Sequence, residues 1–161
     1  MMTILKIFAI GIGATLLVDL WSYILGLFNI KSLDYRYVGR WILNFPNGKF
    51  FHKNIITATP IEGEILTGWI AHYSIGISFA FLLFFLYGKN WLDNPLILPA
   101  VIVGTVTVMA PLFIMQPAFG FGIASTNLSN PHFRILKSVI THFVYGNGLF
   151  LTALLVKQFW N

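Results

Sequence analysis

Residues 96–118 read LILPAVIVGTVTVMAPLFIMQPA, a run without any charged side chain. An α-helix needs about 20 mostly apolar residues to cross the hydrocarbon core of a bilayer, and this run is long enough to do so. Apolar stretches of similar length occupy residues 4–28, 66–87 and 135–156. The sequence therefore predicts four transmembrane helices.

The composition of the whole chain agrees with this interpretation. Hydrophobic residues make up 57% of the 161 residues and charged residues only 9%, whereas a soluble domain carries about 25% charged residues. Because water cannot solvate a surface with so few charges, a lipid bilayer must cover much of it. The predicted fold is all-α: a single integral membrane domain over residues 1–161, built as a four-transmembrane-helix bundle.

The charged and reactive residues exclude several functional classes. The net charge is +5, but the ten lysine and arginine residues are spread over short loops and form no basic face, so no nucleic-acid partner is expected. The chain has no cysteine, which excludes disulfide bonds and thiolate metal sites. No hydrolase triad and no nucleophile elbow are visible, so no catalytic residue is assigned and no enzymatic activity is predicted.

The long connection between the first two spans contains an amphipathic pattern. A helix over residues 32–45, with Ser32 as its N-cap, would place Arg36 and Arg40 on one face and Trp41 on another. This pattern is typical of a helix that lies in the membrane interface. We therefore predict an interfacial amphipathic helix whose arginines contact lipid headgroups, with capture of an anionic substrate as the alternative.

Basic residues are distributed unequally between the two sides of the predicted bundle. Cytoplasmic loops of membrane proteins carry an excess of lysine and arginine. The connections after the first and third spans hold Lys31, Arg36, Arg40, Lys49, Lys53, Arg134 and Lys137, whereas the other side holds Lys6, Lys89 and Lys157. The distribution predicts that these two connections are cytoplasmic and that both termini lie on the opposite side.

Caps and prolines mark where three of the helices begin. The segment Thr59-Pro60-Ile61-Glu62 matches an N-cap, a proline at the first helical position and a capping-box glutamate. The pairs Asn94-Pro95 and Asn130-Pro131 repeat the cap and the proline. Glu62 is thus the predicted cap, whereas Glu64 and His52 are predicted to be solvated residues of the connection.

A short motif occurs twice, as His72-Tyr73-Ser74-Ile75-Gly76 and as His142-Phe143-Val144-Tyr145-Gly146. Two helices per copy return the chain to its starting side, so the copies would be parallel and related by an axis along the membrane normal. A chance match of this length is the alternative explanation. The glycines of both copies, together with others in the spans, predict close packing between helices: Gly11, Gly13, Gly104 and Gly148. Pro111 predicts a kink in the third helix.

Four polar residues lie in the predicted spans at similar depth from one side: Asp19, His72, Gln116 and His142. At the rise of an α-helix, Asp19 lies about 13 Å from the end of its span, and the two histidines lie about 9–10 Å into theirs. An ionisable side chain inside a span costs about 2.5–3.5 kcal/mol, which suggests a function. We predict that the four residues converge on one polar site, with functional groups on the order of 6 Å apart.

Several chemistries fit such a site. Asp19, His72 and His142 would suit a divalent metal of the zinc or iron type. The two histidines could instead be axial ligands of haem b. An aspartate–histidine relay could move protons. A hydrogen-bond cluster that only fixes helix packing is the structural alternative, and none of the spacings selects among these.

Four segments carry a resemblance to a known family: GIGATLLVDLW at 11–21, SLDYRYVGRW at 32–41, GWIAHY at 68–73 and APLFIMQP at 110–117. Together they resemble small bacterial inner-membrane proteins of unknown function, domain-of-unknown-function family 2938. The resemblance covers nearly the whole chain, implies the bacterial inner membrane, and implies no activity. In that membrane, the distribution of basic residues predicts periplasmic termini. Asp19, Arg40, His72 and Gln116 fall inside family-like segments, which assign no role to any of them.

The sequence thus predicts a multi-pass inner-membrane protein with an intramembrane polar site that binds or moves a small ion or solute. One alternative is a metal- or haem-binding redox protein that uses His72 and His142. Another is a helper subunit that packs against a larger membrane partner. A protomer of four helices is small for a conduit, so a homodimer or a larger membrane complex would be consistent with transport.

Overall fold

The computed structural model describes residues 1–160, which contain helices and no β-strand. Four long helices dominate: α1 at Met2–Leu27, α3 at Glu64–Asp93, α4 at Ile97–Ala118 and α5 at Pro131–Phe159. A short helix, α2, occupies Arg36–Leu43 in the long connection. All four long helices are long and apolar enough to cross a membrane, so the predicted all-α fold and its four spans are confirmed, and the chain is a multi-pass membrane protein.

The chain divides into two compact units. Unit 1 contains Met1–Ser32, Tyr73–Thr107 and the chain from Val139 onward, and unit 2 contains Leu33–His72 and Val108–Ser138. The core of unit 1 draws on all four long helices and includes the fully buried residues Ala14, Leu83, Ala100 and Leu149. The core of unit 2 is smaller and centres on Val38, Ile55, Ala118 and Phe119.

Glycines allow the backbones of unit 1 to approach closely, as the sequence predicted. A Cβ atom at Gly146 would meet the Cα of Val101 at 2.8 Å, and one at Gly11 would meet the Cα of Ile77 at 2.6 Å. A Cβ atom at Gly104 would collide with the backbone of Gly146 itself. A Cβ atom at Gly148 would meet the backbone of Ala14, whereas Cβ atoms at Gly13 and Gly76 would collide with the side chains of Thr152 and Thr15. Small residues at helix contacts are how membrane helices gain packing energy, because lipid is as apolar as leucine.

Helix α2 is shorter than the predicted 32–45 helix. The Oδ1 atom of Asp34 accepts a hydrogen bond from the backbone N–H of Arg36 at 3.1 Å, and the helix begins there, not after Ser32. At the other end the chain changes to a 3₁₀ helix at Phe45–Asn47, because a residue that precedes a proline, here Pro46, disfavours the α conformation. The position of α2 in a membrane interface stays a prediction.

The predicted start of α3 is also corrected. The helix begins at Glu64, and the Oε2 atom of that residue accepts a hydrogen bond from the backbone N–H of Ile61 at 3.0 Å. Glu64 therefore performs the capping that was assigned to Glu62, whose side chain is exposed. The helical geometry of α3 breaks at Gly88, which has φ of 68° and ψ of −166°, one residue after the predicted end of the span at 87.

The predictions made from prolines have different outcomes at the two remaining helix starts and inside α4. Helix α5 begins at Pro131 as predicted, whereas α4 begins at Ile97, two residues beyond Pro95. Inside α4 the residues Pro111–Met115 form a π-helix. Proline lacks the N–H that would continue the α-helical pattern, and a π-helical turn accommodates the missing hydrogen bond. The irregularity predicted at Pro111 is thus present as a π-helical segment.

Candidate functional site

The aspartate in the first span is bonded to a tyrosine of the repeated motif. The hydroxyl of Tyr73 donates a hydrogen bond to the Oδ2 atom of Asp19 at 2.8 Å, and both side chains are half-buried in unit 1. A buried tyrosine hydroxyl generally finds a partner, and a carboxylate inside a span is costly unless it faces protein or water. The pair therefore satisfies two polar groups that neither lipid nor an apolar core could accept.

The second polar group of unit 1 joins α5 to α4. The Nδ1 atom of His142 lies 2.8 Å from the Oγ1 atom of Thr107, and that hydroxyl also lies within hydrogen-bond distance of the backbone carbonyl of Gly104. A neutral imidazole has one donor and one acceptor nitrogen, and the contact between His142 and Thr107 fits either tautomer. An acceptor nitrogen of this kind can bind a proton or a cation.

The glycines that follow the two histidines place helices in close contact, as predicted. The hydroxyl of Tyr145 donates to the backbone carbonyl of Gly76 at 2.6 Å, and a Cβ atom at Gly76 would collide with the side chain of Thr15. Gly146 makes the corresponding contact with the backbone of α4. Both copies of the motif thus use their glycine for packing, which gives the repeat a structural meaning.

Two buried polar atoms of unit 1 have no hydrogen-bond partner among residues 1–160: the Nε1 atom of Trp21 and the Oγ1 atom of Thr105. Trp21 lies two residues after Asp19 in α1, and Thr105 lies two residues before Thr107 in α4. A buried polar group without a partner costs about 1–3 kcal/mol. Unit 1 therefore contains hydrogen-bonding capacity that its own described side chains do not use.

The other two predicted site residues belong to unit 2, and both have partners there. The ring of His72 stacks on that of Tyr35 with 3.9 Å between ring centroids. The Oε1 atom of Gln116, a buried residue, accepts a hydrogen bond from the hydroxyl of Ser125 at 3.0 Å. Convergence of Asp19, His72, Gln116 and His142 on one site stays a prediction.

The arginines of α2 differ from each other. Arg36 is exposed and pairs with Asp34, whereas Arg40 is 3% exposed and forms a bidentate pair with Glu64. Its Nε and Nη2 atoms donate to the two carboxylate oxygens of Glu64 at 2.7 and 2.8 Å. This pairing raises the pKa of Arg40 above its usual value. The expectation that Arg40 contacts a lipid headgroup is thus wrong, and so is the solvated position expected for Glu64.

The Arg40 side chain also organises the connection that precedes α3. Its Nη1 atom donates to the backbone carbonyls of Ile55 and Ala58 at 2.9 and 2.7 Å. Gly39 and Gly68 make room for this arrangement, since a Cβ atom at either would collide with the backbone of the other helix segment. The glycine positions are visible in the sequence, but nothing in a pattern identifies Glu64 as the partner of Arg40.

The structure gives no support to the metal-centred alternatives. Among residues 1–160, no group of three or more histidine, aspartate or glutamate side chains is placed to hold a metal ion. Unit 1 contains the carboxylate of Asp19 and the imidazole of His142. Both groups are suited to a proton or a cation, and a carboxylate is not suited to an anion.

Comparison with known proteins gives a family but no activity. No curated protein and no solved structure matches the chain. A family model described as "Protein of unknown function (DUF2938)" matches residues 8–156. That match includes all of α3 and α4, most of α1 and α5, the Asp19–Tyr73 pair and the Arg40–Glu64 pair. The chain belongs to this DUF2938 family.

Proposed function

We propose that this multi-pass membrane protein binds a small cation, the proton included, at an intramembrane site centred on Asp19, and that binding or moving this ion is its function. The observation that carries the proposal is the hydrogen bond from Tyr73 to Asp19 between two membrane-spanning helices. An aspartate inside a span costs about 2.5–3.5 kcal/mol on insertion scales, a cost that an apolar residue would avoid. A purely structural contact does not need a carboxylate.

The chemistry of the neighbouring polar groups selects the kind of ligand. A carboxylate has about four lone-pair sites, and the hydroxyl of Tyr73 donates to one of them at Asp19. The neutral imidazole of His142 adds one acceptor nitrogen in the same unit, whichever ring nitrogen carries the proton. Two acceptors favour a cation, and the carboxylate supplies the charge that compensates the loss of hydration.

Two further parts of the proposal rest on the sequence. The excess of basic residues in the connections after α1 and α4 supports an orientation with both termini in the periplasm of a bacterial inner membrane. A homodimer, or association with a larger membrane partner, would supply the additional helices that a conduit needs. A reporter fused after Asn161 tests the orientation, because activity of a reporter that works only in the cytoplasm would contradict it.

The ligand is tested on purified protein in nanodiscs. We expect wild type to bind radiolabelled sodium, rubidium or calcium, or to show a pH-dependent infrared band of a protonated carboxyl group. Asp19→Asn should abolish the signal while the helical content stays unchanged. Asp93→Asn is the matched control, because Asp93 is an exposed carboxylate at the end of α3. The proposal fails if wild type gives no signal or if Asp19→Asn retains it.

The same preparation separates the alternatives. A visible absorption spectrum with a Soret band would replace the proposal with a haem protein that uses His72 and His142. A protein that binds nothing alone but is isolated in a stoichiometric membrane complex would be a helper subunit. In liposomes, uptake of the bound ion would distinguish transport from binding.

A further inference from the structure

The connection between α2 and α3 carries an open depression that the proposed cation site does not use. Seven residues between positions 49 and 58 line it: the polar side chains are Lys49, His52, Lys53, Asn54 and Thr57, and the apolar ones are Phe51 and Ala58. No carboxylate lines it. The depression lies in unit 2 and outside the four candidate membrane spans.

The backbone under this depression is held by contacts to two other parts of unit 2. The N–H groups of His52 and Ile55 donate to the carbonyls of Ala118 and Phe119 at 2.8 and 3.0 Å. From the other direction, the guanidinium of Arg40 holds the carbonyl of Ile55, whose side chain is fully buried. The basic side chains therefore project from a fixed backbone, which reduces the entropy that a ligand must remove on binding.

The electrostatics of the depression favour an anion. Lys49 and Lys53 are both exposed, and no acidic side chain shares the lining with them. The pKa of His52 is lowered below its usual value by burial and then by the positive charges of Lys49 and Arg40. Lys49 and Arg40 thus both disfavour a positive charge on His52.

Apolar side chains next to the lysines indicate that the anion belongs to a lipid and not to a soluble compound. Phe50, Phe51 and Ile56 are 50%, 74% and 49% exposed. Aromatic and aliphatic side chains interleaved with lysines are characteristic of segments that rest on a membrane, with the apolar groups at the acyl boundary and the ammonium groups at the phosphates. A site for a free, soluble phosphate compound would gain nothing from these exposed rings.

We propose that residues 49–58 bind the phosphate group of an anionic phospholipid, with Lys49 and Lys53 at the phosphate oxygens and Phe51 at the acyl boundary. The site uses none of the residues of the cation site and does not depend on that function. Lysine near an anionic lipid surface contributes about 1 kcal/mol, or about a factor of five in affinity, so two lysines should contribute about 25-fold.

Native mass spectrometry of the whole protein in detergent tests this site with defined lipids. Phosphatidylglycerol and phosphatidylcholine of the same acyl chains are titrated separately, and the stepwise affinities are measured. We expect wild type to bind phosphatidylglycerol more tightly, and Lys49→Gln/Lys53→Gln to lose about 25-fold. The matched control is Lys31→Gln/Lys89→Gln, which removes the same charge elsewhere and should change the affinity less than twofold.

Each result of the lipid titration either supports the proposed site or overturns it. Equal affinity of wild type for the two lipids overturns the site, and so does an unchanged affinity in Lys49→Gln/Lys53→Gln or an equal loss in the control variant. Inorganic phosphate and glycerol phosphate are added as competitors. If either displaces phosphatidylglycerol at equal concentration, the ligand is a soluble phosphate compound and the assignment to lipid is wrong.

A second measurement tests the membrane contact without depending on affinity. The chain has no cysteine, so Phe51→Cys and Glu62→Cys each introduce a single site for a spin label. In nanodiscs that contain phosphatidylglycerol, we expect the label at 51 to collide with oxygen dissolved in lipid and the label at 62 to collide with a water-soluble nickel reagent. Preferential collision of the label at 51 with the water-soluble reagent would overturn the proposed contact.

Discussion

Arg40 in unit 2 and Asp19 in unit 1 are both charged residues of a membrane protein, but they are bonded differently. Arg40 donates to both oxygens of Glu64 and to two backbone carbonyls, and Glu64 accepts a further hydrogen bond from Ile61. Asp19 is held by the hydroxyl of Tyr73. The charge of Arg40 is compensated by the carboxylate of Glu64, whereas the carboxylate of Asp19 accepts a hydrogen bond from a neutral hydroxyl. The comparison separates a structural ion pair from a candidate site.

The largest effect on stability is expected at the buried pair of Arg40 and Glu64. Arg40→Ala leaves the carboxylate of Glu64 buried without its partner and frees the carbonyls of Ile55 and Ala58. Breaking a buried pair from one side costs about 3–5 kcal/mol, so the melting temperature of the purified protein should fall sharply. Arg36→Ala, which removes an exposed arginine one turn earlier in α2, should change stability by less than about 0.5 kcal/mol.

That prediction would be contradicted if the Arg40→Ala protein were as stable as the Arg36→Ala protein. Such a result would mean that the pair with Glu64 contributes little and that unit 2 is held by its apolar core, in which Val38 and Phe119 are buried. Glu64→Gln is the complementary variant, because it keeps the shape and the acceptor for Ile61 while removing the charge. It should destabilise less than Arg40→Ala.

The next effect tests the packing of unit 1. Gly146→Ala places a methyl group 2.8 Å from the Cα of Val101 and 2.9 Å from the carbonyl oxygen of Ala100, and overpacking of this kind costs about 1–3 kcal/mol. Gly26→Ala is the matched control, since nothing lies within 4 Å of a Cβ atom there and alanine favours a helix by about 0.5–1 kcal/mol. Thermal unfolding in detergent should move the two variants in opposite directions, and equal melting temperatures would refute the close contact.

These residues show what the sequence could and could not predict. The four spans were predictable because a run of about 20 apolar residues is a local property with one common solution in a bilayer. The glycine contacts were predictable for the same reason, since a small residue in a span has few other uses. Pairs between distant residues were not predictable: Glu64 lies 24 residues from Arg40, and its capping role was assigned to Glu62.

The candidate site was predicted in part. The depth of Asp19 in its span identified it as a candidate site residue. The prediction used the histidines of the repeat and left out Tyr73, which belongs to the same motif and donates to that carboxylate. A tyrosine hydroxyl inside a span needs an acceptor, and this rule could have found the pair. Thr107, the partner of His142, gave no such signal, because a threonine can bond to its own helix backbone.

A smaller effect sharpens the comparison at Asp19 itself. Tyr73→Phe removes one hydrogen bond to a carboxylate, which typically contributes about 1.5–3 kcal/mol when charged. In a double-mutant cycle with Asp19→Asn, we expect a coupling energy of at least about 0.5 kcal/mol from thermal unfolding. If Asp19 binds a cation, Tyr73→Phe should weaken binding and Asp19→Asn should abolish it. Coupling in stability without any effect on binding would make the pair structural, like Arg40 and Glu64.

The smallest effect concerns the acid side of the pH range and His52 in unit 2. The pKa of His52 is lowered by burial and by Lys49 and Arg40, so the folded protein takes up a proton there less readily than the unfolded chain does. Above the ordinary histidine pKa of about 6.5 both states are neutral and His52 contributes nothing to the pH dependence. As the pH falls below that value, the unfolded state gains the proton first and stability decreases.

His52→Gln should therefore change stability by less than about 0.5 kcal/mol at about pH 8. At about pH 5, the His52→Gln protein should be more stable than wild type. His132→Gln is the control for removal of a histidine at an exposed position near the start of α5, and it should change stability by less than about 0.5 kcal/mol at about pH 8. Parallel curves for His52→Gln and wild type would contradict the lowered pKa of His52, and with it the combined effect of burial, Lys49 and Arg40.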